Sequence, residues 1–198
     1  MAEVTTYAFT GHIAGLGTAS GTRLVLGLWD VSPFGPVADA MVEDASGRRT
    51  LVAPTEELAA FIAATYEFDE VLVEPVERQG WFLRSPHLEV AVEPGGRSAL
   101  GWLLRLVPGP LARSRTWARL IDPVARVAVP GVRTHGTAGG GRTEWYAARD
   151  LRRIDAVAAR WDGDDLGPLA PVDPPVRFGF ASAPRRPSVT TLTSFVVD

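Results

Sequence analysis

An α+β fold is what this sequence predicts: a mainly antiparallel, curved or barrel-like β-sheet covered by two to four helices. Stretches with alternating or uniformly apolar patterning fill much of the first hundred residues and return at the C-terminus. Twenty glycines and 16 prolines among 198 residues divide the chain into short elements. Clear helical spacing is confined to a few segments between them. Apolar residues at 46% and charged residues at 22% are ordinary globular usage, and the length suits one domain spanning 1–198.

The elements follow in order. In "YAFTGHI", Tyr7, Phe9 and Ile13 fall on one strand face and Thr10 and His12 on the other. "RLVLGLWDV" is apolar throughout, as a strand buried on both faces requires. "PVADAMVEDASGRRTLVAP" reads as two strands turned at "DASGRR", with Gly47 free to take positive φ. "PTEELAAFIAATY" is the clearest helix: Thr55 caps it, Glu56 and Glu57 suit its positive end, and Leu58, Phe61, Ile62 and Thr65 follow helical spacing. "DEVLVEPV" and "HLEVAVEP" return to strand character. "SALGWLLRLV" predicts a buried helix opened by Ser98 and stopped by "PGP", and "PLARSRTWARLI" a second with Pro110 in its first turn. "VARVAV" predicts a strand. "DLRRIDAVAARWDG" places Leu151, Ile154, Ala158 and Trp161 at helical spacing, with one arm of a hairpin through "DGDD" as the alternative. The proline-rich stretch after Leu166 predicts extended surface chain, and "VTTLTSFVV" a closing strand that pairs back into the sheet.

Missing residue types exclude whole chemistries. With no cysteine there is no disulfide, thiolate nucleophile, iron–sulfur cluster or cysteine-ligated zinc. With no lysine there is no Schiff base and no lysine general base. His12, His87 and His135 show no zinc-like spacing, "DGDD" falls short of a calcium loop, and no GxSxG elbow occurs, so neither a metal nor a cofactor is expected. "GTAGGGRT", Gly136 to Thr143, has the spacing of a phosphate-binding P-loop, but Arg142 stands where lysine belongs. Too little chain follows it for the βα units of a nucleotide fold, so a hairpin or surface turn is expected.

Charge is unevenly spread. Residues 1–96 carry 14 acids and 5 arginines, 97–133 one acid and 7 arginines, and the remainder 8 of each. The basic segment interleaves arginine with Trp102 and Trp117. Its arginine stems are expected to cover apolar surface while their heads meet the acidic N-terminal half. Since the whole chain has a pI near 5.7, neither nucleic acid nor a membrane surface is expected as partner. The N-terminus lacks a signal-peptide pattern, and no apolar run approaches a membrane span, so a cytoplasmic location is expected.

Rings such as Trp29, Trp81, Trp102, Trp145 and Phe178 suit a small-molecule pocket on a curved sheet. The function expected is therefore small-molecule binding in a sheet-lined, partly apolar cavity with arginine anchors. Arg105, Arg142, Trp29 and Trp102 are the ligand-binding candidates. One alternative is an enzyme in the same cavity using His12, or His87 with Glu89, as an acid–base couple. Another is a protein-interaction module through the arginine- and tryptophan-rich segment 97–133.

Overall fold

The computed structural model describes residues 5–129, 132–137, 139–179 and 181–198. Among these residues it is a mixed α+β fold with a curled, half-barrel sheet and four α-helices. The chain opens with an antiparallel meander of β1 (Thr6–Thr18), β2 (Arg23–Val31), β3 (Val37–Glu43) and β4 (Arg49–Ala53). The β3–β4 turn closes on Asp44, whose Oδ1 accepts from the Ser46 and Arg48 N–H groups, and Gly47 takes φ 90°. The Thr55 side chain accepts from Leu58 N–H and starts α1 (Glu56–Ala63). This helix carries the chain across to β5 (Glu70–Val73), which pairs with β4 in parallel, as a crossover connection permits. The pairing is otherwise antiparallel among the described strands.

A second meander, β6 (Glu77–Gln79), β7 (Phe82–Arg84) and β8 (Leu88–Arg97), forms the opposite edge. Three helices follow: α2 (Ala99–Leu106), α3 (Gly109–Ala112) and α4 (Arg115–Ala128). β9 (His135–Thr137) and the long β10 (Thr143–Trp161) flank a 3-10 turn at Gly139–Gly141. The short strands β11 (Asp164–Asp165) and β12 (Leu169–Ala170) precede β13 (Ser188–Val197), which enters the sheet between β1 and β10. The strand order is β5-β4-β3-β2-β1-β13-β10-β8-β7-β6.

One continuous core shows the curl. Val42 and Val52 from one side of this order join Leu83, Leu88 and Val90 from the other, together with Leu16, Leu24, Leu26 and Val189 between them. Strands so far apart share a core only if the sheet bends their common face inward. That inner face is filled. On the outer face, Phe9, Trp29, Leu51 and Ala53 pack under Leu58 and Ile62 of α1, and Val172, Val176 and Phe178 pack beside Met41 and Tyr66.

Four sequence expectations need correction. Residues 150–163 do not form a helix: they belong to β10 and, through Gly163, to the hairpin with β11. Pairing shifts at Arg152/Ile154 and Ile154/Ala156 break the two-residue alternation, so no strand period is visible and the spacing of Leu151, Ile154, Ala158 and Trp161 imitates a helix. "VARVAV" is not a strand. Its Val124–Ala128 part continues α4, whose Trp117, Ile121 and Ala125 form one half-buried helical stripe across the cavity from the sheet, and that amphipathic spacing overrides β-branched preference; Val124 and Val127 stay exposed. "PLARSRTWARLI" is two helices rather than one, since the Ser114 side chain accepts from Trp117 N–H and caps a new start. The closing strand and the Ser98-capped helix form where the sequence places them, but that helix is not buried as expected: only Gly101 of it is, and Trp102, Leu103 and Leu106 stand exposed because it covers the cavity at the surface.

The glycine stretch is a turn between antiparallel strands, with Ala138 outside the described residues, and β10 occupies the place where a P-loop needs its helix.

Candidate functional site

A cavity of about 390 Å³ lies between the outer face of the sheet and the helices. Its floor is legible in the strand register. Asp39 stands opposite Gly27, Gly27 opposite Ile13, Ile13 opposite Thr190 and Thr190 opposite Leu151, and all five line the cavity. Directly opposed residues share a face, so this row crosses five strands. Gly27 is needed in it: a Cβ there would run into the Asp39 carboxylate and the Trp29 indole nitrogen.

The roof comes from amphipathic spacing. Leu100, Leu104 and Val107 of α2 and its C-terminus line it, as do Trp117, Ile121 and Ala125 of α4, while the largely exposed Leu103 and Val124 stand at its rim. A bidentate pair anchors α2, with the Arg97 Nε and Nη2 donating to Asp150. The side wall comes from Val176, Phe178, Gly179 and the stretch Ala181 to Pro184, tied down at Arg177 by Glu43. That buried carboxylate accepts from the Arg177 backbone N–H and guanidinium, and Arg23 lies 3.2 Å from it.

Against these apolar walls stand a few polar groups. Asp39 is buried, and its Oδ2 accepts from the Trp29 indole N–H at 2.9 Å. Oδ1 makes no hydrogen bond among the described residues. Burial pushes this carboxyl up from 3.8 to about 7, although the indole hydrogen bond pulls the other way. Glu144 accepts from Tyr66 Oη at 2.7 Å and Ser194 Oγ at 2.9 Å, and Tyr146 Oη lies 3.3 Å from Tyr66 Oη. Burial raises Glu144, the three hydroxyls oppose that rise, and both phenols are held well above their ordinary value, first by burial and then by the Glu144 charge. Arg133 is the one arginine among the described lining residues. Its buried Nε has no hydrogen bond and lies 3.9 Å from Asp122.

The residues expected from sequence are dispersed. Trp29 lines the cavity and fixes Asp39. Trp102 stands exposed on α2 under the Arg97 guanidinium, 4.4 Å from its ring centroid. Arg105 is exposed on the same helix. Arg142 closes the end of α1, donating to Phe61 O and Thr65 Oγ1 and pairing with Asp198. His12 points to the inner face, bonded to Thr191 Oγ1 and set edge-on against Trp81, and burial lowers its pKa. His87 pairs with Glu74 at the surface, and Glu89 lies 3.8 Å from Arg84. His87 and Glu89 border a separate surface cleft, where the Ser85 hydroxyl accepts from Leu88 N–H and makes no bond to the imidazole. Of the other expected rings, Phe178 lines the cavity, while Trp145 stacks on Phe195 and bonds to Arg113 O.

Sequence reading missed Asp39, Glu144, Tyr66, Tyr146 and Arg133. A signal for the first existed: Val37, Asp39 and Met41 alternate on one strand face, so Asp39 is an acid set in an apolar stripe. No protein-family model, curated protein or solved structure matches the chain.

Proposed function

We propose that the protein binds a small, mostly apolar molecule in this cavity, with an N–H or O–H of that molecule donating to Asp39. The volume falls in the range of about 300–1,000 Å³ typical of small-molecule sites, and such sites combine apolar walls with few polar anchors. The buried Asp39 carboxyl carries the reading. A carboxyl with no cationic partner in an apolar wall costs stability, and an apolar side chain would line the wall at no such cost. Its free oxygen supplies an acceptor where a ligand donor needs one. Arg133 and Glu144 add two more polar points, so a ligand with a second polar group has places to bind. The arginine anchor expected from sequence is then supplied by Arg133.

The same carboxyl favours a second reading, an acid–base enzyme in this cavity. A group that titrates near neutrality both accepts and returns a proton at working pH. In this reading Asp39 replaces the histidines, because no histidine is among the described lining residues.

The test uses N-phenyl-1-naphthylamine, an uncharged apolar fluorophore with one N–H. Its emission rises saturably with the wild-type protein, and Ala148→Trp, which fills the cavity between the sheet and α2, abolishes the rise without lowering the melting temperature. A wild-type protein that gives no saturable rise refutes the proposal.

A further inference from the structure

We infer that the face formed by α2, α3 and α4 around the cavity mouth docks on an anionic lipid surface. Ten large apolar side chains stand exposed among the described residues, and seven of them fall between Trp102 and Val127. Leu106 and Val127 are 78% and 84% exposed. Isolated exposed leucines are ordinary, but a run of them on neighbouring helices marks an interaction surface. Leu103 and Val124 are also cavity-lining residues, so the exposed faces of α2 and α4 meet at its rim.

The charges say what covers it. Arg105, Arg113, Arg115 and Arg119 are exposed on or at the ends of the same elements, and among the described residues none forms an ion pair with a carboxylate. The expectation that these heads meet the acidic N-terminal half therefore fails for these four. Arg115 and Arg119 instead both direct Nε–H at His135 Nε2, at 3.4 and 3.3 Å. The one acid of the segment, Asp122, is buried and accepts from Thr134 N–H. A symmetric contact with a second copy would set arginines against arginines. Nucleic acid would use the guanidinium groups and leave Leu106 and Val127 in water.

An anionic bilayer surface satisfies both sets: headgroup phosphates and carboxylates take the arginines, and the acyl boundary takes Trp102, Leu106 and Val127. The helices are 8, 4 and 14 residues long, which suits lying in the interface. No helix among the described residues is long and apolar enough to cross a membrane. Docking in this pose turns the cavity mouth toward the acyl chains.

Sedimentation with phosphatidylcholine vesicles, with and without phosphatidylserine, tests this on the full chain. The protein pellets with the phosphatidylserine vesicles and is released by salt. Each arginine neutralised costs about fivefold in partitioning, so Arg105→Gln with Arg119→Gln costs about 25-fold. Leu106→Glu with Val127→Glu removes binding while the melting temperature and the fluorophore titration stay at wild-type values. Ala148→Trp still pellets, so cavity and docking readings fail separately. Protein that stays in the supernatant, or pellets equally with uncharged vesicles, overturns the inference. So does a dimer in light scattering that Leu106→Glu dissociates while vesicle binding is absent.

Discussion

Replacing Asp39 by Asn changes how stability depends on pH, and the size of the change follows from the site. Asp39 is 2% exposed, and its folded pKa is about 7 against 3.8 in an open chain. Between those values the unfolded chain has lost a proton that the folded one keeps, so the unfolded state binds fewer protons and stability falls as pH rises. The slope is about 1.4 kcal/mol per pH unit for one group, and three units give about 4 kcal/mol. The loss begins near pH 4, is complete a little above pH 7 and is absent below 4. Set against the 5–15 kcal/mol of a typical domain, the wild-type protein is markedly weaker at pH 8 than at pH 5. Asn keeps the volume and an acceptor for the Trp29 indole but has no charge to bury. Urea unfolding at a series of pH values for both proteins isolates Asp39, since every other group cancels in the difference. The expected difference grows from near zero at pH 4 to about 4 kcal/mol at pH 8, with Asn the more stable. Parallel curves would refute the assignment of Asp39 as a buried carboxyl without a cation.

Glu43→Ala leaves Arg23 buried without its carboxylate and unties the segment at Arg177. Chemical unfolding should show a loss of about 3–5 kcal/mol, and limited proteolysis faster cleavage within 171–187. Gly27→Ala pushes against the Asp39 carboxylate and Trp29, so it costs on the order of 1–3 kcal/mol and weakens the fluorophore. The hydrogen bond to Glu74 raises His87, so this pair's contribution is complete below the open-chain value of 6.5 and fades as pH rises through the folded value. The wild-type and His87→Ala proteins should therefore converge in stability as pH climbs from 6, and a gap that widens instead would contradict the pairing.

Local physics made much of the fold readable. Thr55 and Ser98 cap where their side-chain chemistry requires, Gly47 turns where positive φ is needed, and the alternation of Tyr7, Phe9 and Ile13 against Thr10 and His12 is the alternation of the outer and inner faces. Two things hid the rest. The pairing shifts in β10 break the period on which strand reading depends, so 150–163 resembled a helix. The parallel partner of β4 depends on where α1 delivers the chain, which no local pattern records. The candidate site was legible only at Trp29 and Phe178. Asp39 and Glu144 stand on strands separated by β2, β1 and β13 in the sheet, so only the sheet order brings them to one cavity. Arg142 reads as a ligand anchor from its glycine neighbours, but the end of α1 and Asp198 already engage its guanidinium.

The central claim, that small molecules enter on the outer face while the inner core is closed, is tested most directly by methyl NMR during titration with N-phenyl-1-naphthylamine. Cavity methyls of Leu104, Val176 and Leu192 should shift and saturate together, while inner-core methyls of Leu16, Leu24 and Val90 stay in place. Shifts centred on the inner-core methyls, or none at saturating fluorophore, would contradict the account.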